Sequence, residues 1–134
     1  MYRYVSAIAA VSLLYGAPGN TEAAGNVDIT VVVPEVCQIE STAITVDSNG
    51  SSASGTVFEM CNSGRGFRVI ASHRTLAGGE EVEINYNGQV RELDSSGVSD
   101  VAFRNGPIAG SVPVTIQSNG LVEGISISLG LTII

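Results

Sequence analysis

Asn26-Val27-Asp28-Ile29-Thr30-Val31-Val32-Val33 places Val27, Ile29, Val31 and Val33 at period two, with Asp28 and Thr30 between them. That alternation is the pattern of a half-buried β-strand. Pro34 closes the stretch, because proline has no N–H to give a ladder and holds the residue before it in extended geometry. A strand is therefore expected at the very start of the mature protein. It has two possible fates: it pairs within its own domain, or it is lent to a neighbour.

Upstream of this stretch the sequence reads as a leader. Arg3 lies in a short n-region, Val5 to Leu14 form an apolar run, and Gly16-Ala17-Pro18-Gly19 breaks it. Thr21-Glu22-Ala23-Ala24 then offers small residues for cleavage. The pattern is that of a secretory signal peptide over 1–23, with an apolar run too short to span a bilayer. No second apolar stretch is long enough, so no membrane span is expected in the mature chain. An exported protein meets an oxidising compartment, and there Cys37 and Cys61, the only two cysteines, are expected to form a disulfide. In the chain-entropy picture a bridge closing a loop of this length stabilises the fold by about 3 kcal/mol.

At 134 residues the chain fits one domain with a core of ordinary size. Six Lys+Arg against thirteen Asp+Glu give a net charge of −7, and all six cations are arginine. Nothing here could neutralise a phosphate track, so no nucleic-acid partner is expected.

Downstream, strands are expected over 36–40, 43–46, 56–61, 67–72, 82–86, 89–93, 101–103, 112–116 and 125–133. Asn87-Gly88 is the strongest hairpin signal, since both residues tolerate positive φ in a type I′ turn. Residues 47–55 and 94–100 are polar and turn-rich and read as loops. Pro113 is expected to confine its strand to a sheet edge or an irregular start. Ile125, Ile127, Leu129, Leu131 and Ile133 alternate with small polar residues to the end of the chain. Many short strands between turn signals, with no helical periodicity after the leader, indicate an all-β sandwich.

Chemistry-bearing constellations are sparse. His73 is the only histidine, which excludes a multi-histidine metal site, and its neighbours Ser72 and Arg74 look like an exposed strand end. The two cysteines are too far apart for a C-x-x-C knuckle or redox motif. Gly64 and Gly66 belong to a turn with no helix after it to cradle a phosphate. Glu80, Glu81 and Glu83 read as a solvated strand face, since their spacing follows no known calcium loop. No enzyme activity, metal or cofactor is expected.

The two ends together suggest a family. Val27-Asp28-Ile29-Thr30-Val31 leading to Cys37, and Gly124-Ile125-Ser126-Ile127-Ser128-Leu129 running to the terminus, resemble the pilin subunits of chaperone–usher pili, most of all the archaic, spore coat protein U-like branch. The resemblance implies an immunoglobulin-like sandwich lacking its last strand, completed by donor-strand exchange. It divides the chain into a signal peptide (1–23), an N-terminal donor strand (24–34) carrying Val27, Ile29, Val31 and Val33, and a pilin-like domain (35–134). The C-terminal strand bearing Ile125, Ile127, Leu129, Leu131 and Ile133 would border the groove. Implied partners are neighbouring pilin subunits, a periplasmic chaperone and an outer-membrane usher, with passage through the periplasm to a surface fimbria. The competing expectation is a self-contained secreted β-sandwich acting as a binding or adhesion module, with residues 27–33 as its own first strand. The absence of tryptophan and an aromatic content of 5% make a sugar-stacking platform hard to build.

Overall fold

The computed structural model describes residues 25–134, together with Gly19. The leader expected over 1–23 therefore lies outside the described residues, Gly19 apart. Among the described residues there is no helix, and the sandwich is built within Val33–Ile134.

The strands are β1 (Cys37–Glu40), β2 (Ile44–Val46), β3 (Ser52–Cys61), β4 (Phe67–Ser72), β5 (Glu81–Tyr86), β6 (Gln89–Glu92), β7 (Val98–Arg104), β8 (Ile108–Asn119) and β9 (Ile125–Ile133). They form two sheets, ordered β1-β3-β8-β5-β6 and β2-β9-β4-β7, and every pairing is antiparallel. Alternate residues of facing strands fill the space between: Val57 and Cys61 from β3, Val82, Ile84 and Tyr86 from β5, and Val114 and Ile116 from β8 meet Phe67, Val69 and Ala71 of β4 and Ile125 and Ile127 of β9. The all-β sandwich expected from the sequence is what the chain forms.

Several boundaries differ from expectation, each for a local reason. Ser52 to Gly55 and Val98 to Asp100, read as loop, belong to β3 and β7, because neighbouring strands supply ladder partners that composition does not reveal. The β5–β6 turn is as expected, with Asn87 at φ 48° and Gly88 at φ 88°. Pro113 does not sit at an edge. It lies in the middle of β8, between β3 and β5. The Asn87 N–H donates to the Pro113 carbonyl at 3.0 Å, just past the last β5–β8 pair, Tyr86 with Val114. In a strand the N–H and C=O of one residue point to the same side. The missing N–H of Pro113 is thus withheld from the hairpin turn and costs β3 no ladder bond.

The strand expected over Asn26 to Val33 is not formed, since residues 25–36 carry no ladder pairing. Val27, Ile29, Val31 and Val33 are 79, 81, 74 and 70% exposed. A period-two pattern makes a segment able to pair, but a strand exists only where a partner takes its N–H and C=O groups.

Candidate functional site

β9 changes partner along its length. Ile125–Ile127 pair with Val46–Ile44 of β2 on one side, while Ser128–Ile133 pair with Ser72–Phe67 of β4 on the other. Beyond Ile127 the edge facing β2 has no ladder partner among the described residues. Side-chain burial follows the same step. Ile125 and Ile127 are 1% and 0% exposed, Leu129 and Leu131 are only half-buried, and Ile133 reaches 37%. Five residues that alternate identically in sequence thus divide into two that are sealed and three that are not. The short β2, ending the cover after three residues, is the cause. β1 runs near this open edge, with Cα atoms within 8 Å of β9, but shares no ladder with it. Its inward residues Cys37 and Ile39 are themselves only half-buried.

The opposite flank is closed differently. The Gln89 side chain on β6 donates to the Phe103 carbonyl at 2.9 Å and accepts from the Phe103 N–H at 3.1 Å. One amide thereby stands in for a ladder rung between the edge strands of the two sheets. Among the described residues no comparable side-chain rung bridges β1 and β9.

Two devices frame that side. Cys37 and Cys61, directly opposite in the β1–β3 register, form the expected disulfide. Immediately beyond, Asn62 grips the chain before β1. Its Oδ1 accepts from the Val36 N–H at 2.6 Å, its Nδ2 donates to the Pro34 carbonyl at 2.8 Å, and its own N–H donates to the Val36 carbonyl at 3.0 Å. Ser63 Oγ donates to the Glu35 carboxylate at 3.2 Å. The Arg65 guanidinium also bonds Glu35 and holds that carboxyl below the usual carboxylate range. Residues 34–36 are therefore fixed to the turn after β3.

At the other end of β9, Arg74 and Glu80 fix its entry. Arg74 donates to both Glu80 oxygens at 2.7 Å and to the carbonyls of Glu123 and Gly124 at 2.7 and 3.1 Å. Glu80 in turn accepts from the N–H groups of Ala77 and Val122 at 2.7 and 2.8 Å. The Arg74 bonds, then that of Ala77, push the Glu80 carboxyl down to about 2. Glu80 is thus no part of a solvated acidic face. Its side chain is fully enclosed, while Glu81 and Glu83 do face water.

His73 is not an exposed strand end either. It is partly buried, with Nδ1 2.6 Å from the Arg74 carbonyl and Nε2 3.3 Å from Ser99 Oγ, a role in loop packing. Among the described residues no group of His, Cys, Asp and Glu is placed to hold a metal ion. No helix among them is long and apolar enough to cross a membrane.

The structure also brings together residues that sequence reasoning did not single out. Glu59 is wholly buried and accepts from Tyr86 Oη at 2.6 Å and from Arg104 at 2.9 and 3.0 Å. The signal was present in parity: in an alternating strand Glu59 shares the inward face with Val57 and Cys61, and an inward charge demands a partner. Comparison with protein-family models, curated proteins and solved structures finds no match for this chain.

Proposed function

We propose that the chain is a structural subunit that polymerises by strand lending, the tail of one copy pairing with the open edge of β9 in the next, in the manner of a chaperone–usher pilin. The observation that carries this reading is the burial step along β9 where β2 ends, from 0% exposure at Ile127 to 37% at Ile133. The supply is matched to the demand. A free edge needs N–H and C=O groups and alternate apolar side chains, and residues 27–33 offer both while their side chains stand in water. Strand addition draws affinity from the backbone ladder and specificity from alternate side chains.

Magnitudes favour continuous pairing over a few anchors. Burying Val27, Ile29, Val31 and Val33 contributes on the order of 6–12 kcal/mol gross at about 1.5–3 each. Ordering the tail costs about 1–2 kcal/mol per residue, which nearly cancels it. The surplus comes from the added ladder bonds, about 0.5–1.5 kcal/mol each, and from covering Leu129, Leu131 and Ile133. Strands in a sheet lie about 4.8 Å apart. A lent strand bonded to β9 and also flanked by β1 therefore needs roughly 9.6 Å between those two, so β1 must give way slightly on insertion.

On this reading the chain is exported, served by a chaperone that shields β9 in transit, and ends in a surface fibre. A self-contained binding module would keep 27–33 as its own first strand, and the lack of strand pairing at these residues, among those described, favours the lending reading over it. The test is removal of residues 24–33 from the mature protein. Loss of SDS-resistant oligomers is expected, and their persistence would rule the donor role out.

A further inference from the structure

Beside the Asn62 clasp lies a shallow depression lined by Val36, Met60, Pro107, Ile108 and Ala109. Val36 and Met60 are 45% and 36% exposed. None of these five side chains ionises, on a chain of net charge −7. We propose that this depression is where one copy seats against the copy that accepts its tail, a second contact beside the lent strand. The inference rests on the strand-lending reading and adds a surface to it.

The argument is one of chain length. Val33 is the last apolar residue of the tail, and the next three, Pro34 to Val36, are held by Asn62 and the Ser63–Arg65 turn. An extended residue spans at most about 3.6 Å, so residues 34–36 reach about 11 Å. No slack chain is left to hold the two sandwiches apart. Whatever copy takes Val33 is carried up against the surface around Val36. Like-charged copies repel over most of their surfaces, so they meet at least cost where the surface carries no charge. An exposed apolar patch is also the kind of surface that marks a contact.

The test uses the full mature protein in five forms: wild type, Ile29→Asp, Met60→Glu, Ala109→Arg and Met60→Leu. Met60→Glu and Ala109→Arg change the charge in opposite directions, so a general charge effect cannot weaken assembly in both. Each is expected to melt as a folded domain yet to need at least tenfold more protein for fibres to form, while Met60→Leu matches wild type. Fibres from folded Met60→Glu and Ala109→Arg at the wild-type threshold, with Ile29→Asp inactive, would overturn the seating surface alone. Wild type that forms no fibres, or Ile29→Asp that forms them normally, would overturn strand lending and this inference with it. Should Met60→Glu fail to fold, Ala109→Arg decides, since Ala109 is exposed and points outward from β8.

Discussion

Arg104, at the end of β7 in one sheet, donates to both carboxylate oxygens of Glu59 in the other, its Nε lying 3.0 Å from each and its Nη2 2.9 Å from Oε2. The Glu59 side chain is 0% exposed and that of Arg104 15%. With the Tyr86 hydroxyl as a third partner, this is a charge pair spanning the sandwich beneath its closed flank. Removing one partner of a buried pair leaves an uncompensated charge, which typically costs about 3–5 kcal/mol. Arg104→Met is expected to fall in that range by urea denaturation. A loss under 1 kcal/mol would mean that water reaches Glu59 and the pair is not structural.

Tyr86 adds an alkaline signature. Burial first, and the bond to Glu59 second, push its phenol well above the ordinary value of 10.0. The fold therefore holds the proton that the unfolded chain releases. Stability from this source is intact below pH 10.0 and declines as pH rises beyond it. Melting temperatures measured from pH 8 upward should fall above about pH 10, and Tyr86→Phe should flatten that limb.

Glu80 gives the opposite limb. Its carboxyl is held down to about 2 against an ordinary 4.5, so the unfolded chain takes up a proton first as the solution is acidified. Its contribution is complete above pH 4.5 and drains away as pH falls toward 2. Glu80→Gln should lower the melting temperature at neutral pH and remove part of the acid dependence. Because Arg74 and Glu80 hold residues 122–124, amide exchange at the start of β9 should quicken in the same variant. Unchanged exchange there would separate the clamp from β9.

Gly66 tests the turn that follows the clasp. Its φ of +88° lies in the left-handed region, and an added Cβ would come 2.4 Å from the Arg104 carbonyl oxygen. Gly110, by contrast, sits in β8 with open space where a Cβ would go. Gly66→Ala should cost more than about 1 kcal/mol, whereas Gly110→Ala should be neutral or stabilise by a few tenths. Equal effects in chemical denaturation would show that the turn relaxes.

How far the sequence could be read depends on whether a feature is local. β4, β5 and β9 were legible because alternation and turn residues are written along the chain, and the Asn87-Gly88 turn needs nothing beyond its own two residues. The central place of Pro113 was not legible, since it depends on which side of β8 the hairpin turn falls. The Glu80 clamp was misread for a related reason. Three glutamates within four positions look alike in sequence, and only the arrival of Arg74 and the Val122 N–H distinguishes Glu80. The division of β9 was the least accessible of all. Nothing in Ile125-Ser126-Ile127-Ser128-Leu129 marks where β2 stops.

That division allows the two halves of strand lending to be disabled one at a time. Val31→Asp places a charge on the tail at a site 74% exposed in the free chain, so folding should be unaffected, while entry into an apolar groove is opposed by several kcal/mol. Leu131→Asp places it on the half-buried stretch of β9, and that chain keeps an intact tail. The first variant can accept but not lend, and the second can lend but not accept. Each alone should remain single, and an equal mixture should give one complex of two chains that grows no further. Sizing by light scattering would show it directly: fibres in either variant alone, or no pairing in the mixture, would mean that tail and edge are not complementary partners.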